Sequence, residues 1–124
     1  MNINALLSAA GIGLISGNSQ LNDVINTSHQ GQRVIVFFYN DQCQYTQGMV
    51  QPYIEIYRAT PNIKFYGFNA VDSMENLKTA KQYTQISPGF SGFICSRSFG
   101  GFFGDNKDSL NSLVAYLGNK ENTC

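Results

Sequence analysis

The chain has 124 residues, eight basic and eight acidic side chains, and only 13% charged residues against about 25% in ordinary globular domains. That length fits one domain around one core, and single, scattered Lys and Arg residues argue against a nucleic-acid surface. Three cysteines without a Cys-x-x-Cys pair argue against a structural disulfide framework and a zinc site, so a reducing compartment is expected.

Residues 3–15 are apolar and uncharged. The run is shorter than the roughly 20 residues that span a bilayer. It also lacks the basic flank of a signal peptide, so no cleaved leader is expected. Gly11 and Gly13 weaken it as a helix. Residues 1–18 are therefore set apart as an apolar amino-terminal extension, and residues 19–124 as the main domain. The extension could pack on that domain, dock on a partner, or touch a membrane, the last being the least favoured. Ser19 could cap a helix carrying Leu21, Val24 and Ile25 on one face. His29 falls in the loop region that follows and reads as solvated.

Val34-Ile35-Val36-Phe37-Phe38-Tyr39 is an unbroken apolar run and predicts a strand buried on both faces. Asn40-Asp41 ends it, since both residues favour turns and helix starts. Cys43 follows, and then helical spacing to about Tyr57, with Met49, Val50, Tyr53, Ile54 and Tyr57 on one stripe. Pro52 inside that helix should kink it. A thiol is thus expected where a central strand hands over to a helix, a place whose N–H groups and dipole favour an anion. Asp41 opposes that effect.

Residues 63–71 predict a second strand, Asp72-Ser73 opens a helix with Leu77, Ala80 and Tyr83 facing inward, and Phe90 to Cys95 predicts a third strand. Ser96-Arg97-Ser98 reads as a hairpin turn. Phe99 to Phe103 is a glycine-rich strand whose Gly100-Gly101 pair suggests a bulge. A last helix, capped by Asp105 or Asn106, carries Leu110, Leu113, Val114 and Leu117 at helical spacing. Cys95, about 20 Å along its strand from the expected site, reads as a buried apolar residue.

This order and the strand–turn–Cys43–helix junction resemble the thioredoxin family over residues 33–118. The fold implied is α/β and thioredoxin-like: a central mixed sheet in the order β-α-β-α-β-β-α, flanked by helices. The resemblance implies that Cys43 is the nucleophile and that Pro88, before the third strand, is a cis-proline. Tyr39, Gln44, Tyr45, Ser87 and Pro88 would form the substrate-docking edge, where a peptide could pair as an added strand. Gly104 stands where the family has a glycine near that face.

The departures matter as much. Thr46 stands in place of the resolving cysteine, and Phe37 in place of the family's buried aspartate. The flanking tryptophans become Tyr39 and Gln42, and the helix proline lies one residue further from the cysteine. Thr46 could still donate a hydrogen bond to a Cys43 thiolate, but it cannot release a mixed disulfide. Two functions stay open. One is a structural or interaction component of a larger assembly, such as a minor protein of a viral particle, consistent with a weakly charged surface that associates easily. The other is a monothiol oxidoreductase. No cofactor is implied, although glutathione could serve as a co-substrate. Protein partners are expected and nucleic acid is not; the chain would reside in the cytoplasm or a viral particle.

Overall fold

A computed structural model describes residues 2–84, 89–103 and 107–119. Helix α1 (Ile3–Ala10) leads into strand β1 (Gly13–Ile15), helix α2 (Asn18–Thr27) and a 3-10 turn (Ser28–Gln30). Then come β2 (Val34–Tyr39), α3 (Gln44–Ala59), β3 (Lys64–Asn69) and α4 (Met74–Tyr83). The chain ends in the hairpin β4 (Gly89–Ile94) and β5 (Arg97–Phe103), and in α5 (Lys107–Gly118). The five-stranded sheet runs β1-β3-β2-β4-β5. β1, β3 and β2 are parallel, and β4 and β5 are antiparallel to their neighbours. This is a thioredoxin-like α/β fold.

The double burial expected of β2 is complete, since all six residues are buried. Side chains alternate across a strand, so the run divides between two cores. Ile35, Phe37 and Tyr39 join residues of α1, α3 and α5 on one face. Val34, Val36 and Phe38 join Leu21 and Val24 of α2 and Ala80 of α4 on the other. The helices thus cover both faces of the sheet, and β2, at its centre, sends Cys43 out of its carboxyl end.

Residues 3–15, set apart in the sequence as an extension, supply both a helix and an edge strand. Asn2 caps α1 by accepting from the Ala5 N–H at 3.0 Å. Ile3, Leu7 and Ile12 are buried in the core beneath the sheet. Gly11 takes the left-handed conformation (φ +97°) that ends the helix and turns the chain into β1. The sequence gives little sign of β1 because it is only three residues long. Among the described residues, no helix is long and apolar enough to cross a membrane.

Three local outcomes differ from the sequence expectations. α2 starts two residues earlier, with Gly17 in place of Ser19 at its cap and the Gln20 side chain accepting from the Ser16 N–H at 2.9 Å. α3 keeps Pro52 inside it, as expected, and runs to Ala59, two residues beyond the expected end. α4 is rotated from the expected face: Asn76, Thr79 and Ala80 are buried, while Leu77 is only half-buried. The reason is polar. The Asn76 amide donates to Ser16 O at 3.4 Å and Asn69 O at 3.3 Å, tying α4 to β1 and β3. The bulge expected near Gly100-Gly101 is present, since the register passes from Ser91↔Gly100 to Phe90↔Phe102.

Candidate functional site

The turn after β2 is built by short hydrogen bonds. Asn40 accepts from the Gln42 N–H on its side chain at 2.9 Å, and from the Cys43 N–H on its carbonyl at 3.0 Å. That closes a four-residue turn and leaves Cys43 extended (φ −93°, ψ 128°) as the N-cap of α3. Its carbonyl accepts from the Thr46 and Gln47 N–H groups at 3.1 and 3.4 Å. The Cys43 thiol is free and its residue half-buried. A partly exposed sulfur at the amino end of a 16-residue helix meets the first geometric need of a nucleophilic thiol.

Thr46 occupies the first turn of α3 and is fully buried. Its hydroxyl oxygen accepts from the Asn40 N–H at 3.3 Å. This side chain therefore braces the turn that presents Cys43. Beneath it, Phe37 is fully buried among the rings of Tyr39, Tyr53 and Phe90, with centroids 5.4, 5.0 and 4.8 Å away. No carboxylate stands at that position to accept a proton.

Gln44 is exposed beside Cys43 in the first turn of α3, and Gln42 is exposed just before it. Tyr39 differs from expectation. It is only 1% exposed, and its hydroxyl donates to the Asn4 side chain of α1. Its burial fits the doubly buried strand, and α1 covers a ring that the docking edge would have needed open. The hydroxyl's ionisation is pushed far above its ordinary range by burial, and further by the negative charges of Asp41 and Asp72. A cleft of about 180 Å³ opens here, lined by Asn4, Leu14, Ile15, Ser16, Tyr39, Asn69 and Asp72. A larger cavity of about 620 Å³ lies at the other end of the sheet, by Arg33 and Lys64, remote from the thiol.

Sequence reading missed the residue that knits this end together. Asn69, at the end of β3, donates to Asp41 Oδ2 at 3.4 Å and accepts from the Val71 N–H at 3.2 Å. Its carbonyl accepts from Asn76. The Asn40 turn and the loop after β3 are thus joined through the Asn69 side chain, and α4 through its backbone carbonyl. The available signal was a polar residue closing an apolar strand. Asp41 Oδ1 is buried without a hydrogen-bond partner among the described residues.

The expected docking residues Ser87 and Pro88 lie outside the described residues, as do Gly104, Asp105 and Asn106; so does the side chain of Tyr45. The described part of β4 begins with Gly89 opposite Phe38, so this strand starts at the Cys43 end of the sheet. Val71 and Met74, 38% and 71% exposed, lie in the loop after β3 and at the start of α4.

Cys95 corrects another expectation. It is not a buried free side chain but a half-buried, disulfide-bonded residue in the β4–β5 turn. The spacing argument considered only a pairing with Cys43, which leaves β2 at its other end from the Val34↔Phe93 pair that precedes Cys95. It left open a pairing elsewhere. Among the described residues no group of His, Cys, Asp and Glu side chains could hold a metal ion.

The central strand, the helix that leaves it behind a capping thiol, and the antiparallel hairpin together make a thioredoxin-like fold. Solved structures agree on the fold. Thioredoxin from Fasciola hepatica superposes with a TM-score of 0.75 at 15% identity, covering 86% of this chain and 99% of that one. A Plasmodium falciparum thioredoxin gives 0.72 at 19% identity, covering 85% and 98%. A poplar thioredoxin h mutant gives 0.73 at 19% identity, covering 89% and 85%. No family model and no curated protein sequence matches the chain.

Proposed function

We propose that this chain is a protein-binding thioredoxin-like domain with one working thiol, which forms mixed disulfides and depends on an external thiol to release them. The observation that carries this reading is the placement of Cys43: free, half-buried, and N-capping the helix that leaves the central strand. The Cys43 thiolate attacks one sulfur of a partner's disulfide. A new S–S bond forms, the old one breaks, and the departing sulfur leaves as a thiolate that takes a proton. Thr46 cannot repeat this attack on the mixed disulfide, so a small thiol such as glutathione must do it. Gln44 lies beside the attacking sulfur; Tyr45, Ser87 and Pro88 are the remaining candidates for the docking edge. The partners are proteins, with neither nucleic acid nor lipid needed.

The test is incubation with oxidised glutathione followed by intact-mass measurement. One glutathionyl group should add to Cys43, be removed by reduced glutathione, and be missing at that position in Cys43→Ser. In an insulin-reduction assay the chain should be inactive until glutathione is supplied. Turnover with no external thiol, or an unmodified Cys43, would refute the proposal.

A second reading, a building block of a larger assembly such as a viral particle, draws on exposed Met74 and Val71 and on the low surface charge. It predicts self-association or a stable complex. A clean monomer in sedimentation, with no partner retained, would remove it.

A further inference from the structure

The cavity of about 620 Å³ lies where β2 and β3 begin, at the end of the sheet opposite the Cys43 turn. Its size falls in the range of small-molecule sites, roughly 300–1,000 Å³. Separate segments build its rim. Gln30 comes from the 3-10 turn, Gln32 and Arg33 from the approach to β2, and Asn62 and Lys64 from the start of β3. Gly31, left-handed at φ 89°, ends the 3-10 turn and swings the chain from Gln30 toward β2. The two strands are tied at this point, since the Lys64 N–H donates to the Arg33 carbonyl at 2.9 Å. Arg33 is itself anchored, its Nε donating to the Leu117 carbonyl at 2.6 Å. Tyr66 supplies an apolar wall: it is half-buried and packs against the core that α2 and α4 cover.

Two of the chain's eight basic residues thus meet at one cavity, and no carboxylate lines it among the described residues. The Lys64 ammonium and the side-chain amides of Gln30 and Asn62 have no hydrogen-bond or ion-pair partner among the described residues. We propose that this cavity binds a small organic phosphate monoester, its phosphate held by Lys64, Gln30 and Asn62 and its organic part lying along Tyr66. A phosphate monoester carries a charge near −2 at neutral pH and three strong acceptor oxygens. Three donors from different segments suit those three oxygens, whereas a carboxylate offers two in one plane. The anchored Arg33 adds positive potential at the same rim. Inorganic phosphate alone would fill a small part of the space and leave the Tyr66 wall unused.

The site shares no residue with the Cys43 turn, so it stands or fails apart from any thiol chemistry. The test is a titration of the full chain with adenosine monophosphate, followed by ¹H–¹⁵N spectra. Cross-peaks of the Gln30 and Asn62 side-chain amides and of the Arg33 and Lys64 backbone should move, with a dissociation constant of about 1 mM or tighter. Adenosine should leave them still, and inorganic phosphate should move them more weakly. Lys64→Gln, at an exposed position, should weaken binding roughly tenfold. Lys81→Gln, the same charge change on α4 away from the rim, should not, and Cys43→Ser should bind as the parent does. No response at about 10 mM ligand, far weaker than a specific site gives, would overturn the proposal. So would equal binding of adenosine or citrate, equal losses in the two lysine variants, or shifts confined to the Cys43 turn.

Discussion

Thr46 has a double position: it stands three residues after Cys43, where the resemblance expects a second thiol, and its hydroxyl holds the turn in front of Cys43. Its N–H reaches the Cys43 carbonyl at 3.1 Å, so the two residues stand one tight turn apart. Cα atoms at that spacing lie within disulfide range. Thr46→Cys should therefore allow a bond to Cys43, so that each pre-reduced chain reduces one insulin disulfide and becomes oxidised itself, with no glutathione needed for release. It should also cost about 1–2 kcal/mol, because the Asn40 N–H loses its oxygen acceptor. Insulin reduction and urea unfolding read the two effects. If that reduction stays absent although the disulfide forms, Phe37 is the remaining obstacle, since no acid stands there to manage the proton. This residue-level logic was legible in the sequence because the spacing from Cys43 is local. The bond from Thr46 to Asn40 was not, since it depends on how the turn folds back.

At the level of elements, the strands and long helices were readable where burial follows a simple period, as in β2 and α5. Legibility ended where polar groups are buried. Asn76 turns α4 away from its apolar stripe because its amide satisfies two backbone carbonyls, and no periodicity carries that information. β1 escaped for a different reason, since it is only three residues long and its place is set by pairing with β3, whereas a helix packed on the domain was one of the readings left open for residues 3–15. The α1 packing is open to measurement. Leu7 is fully buried and meets Gly67, where an added Cβ would lie 2.8 Å from its Cδ1. Leu7→Ala should cost about 2–5 kcal/mol in urea unfolding. Leu6→Ala, at a position 39% exposed, should cost about 0.5 kcal/mol or less. Equal effects would mean that α1 does not dock as described.

Over the whole molecule, the central face is rich in tyrosine and phenylalanine rather than charge, and its pH response follows from that. Tyr53 is fully buried, donates to Tyr66 O at 2.7 Å, and is held well above its ordinary value of 10.0 by burial. Tyr39 is raised as well. For each, the folded chain keeps its proton at a pH where the unfolded chain has lost it. Their contribution is fully present below about pH 10 and is lost as pH rises beyond it. Unfolding midpoints should fall steeply above pH 10, and Tyr53→Phe should flatten that fall while lowering stability at neutral pH by about 1–2 kcal/mol. An unchanged alkaline limb would place the sensitivity elsewhere. The single ion pair described, Lys107 with Glu55 at 3.9 Å, is half exposed on both sides and adds little.

The hydroxyl-to-amide link between Tyr39 and Asn4 couples the first helix to the strand that delivers the thiol. Whatever lifts that helix uncovers an aromatic ring four residues upstream of the sulfur and loosens the turn between them. An affinity tag or fusion joined ahead of α1 would therefore act as a remote handle on Cys43 reactivity. Preparations tagged at opposite ends should not be expected to react alike.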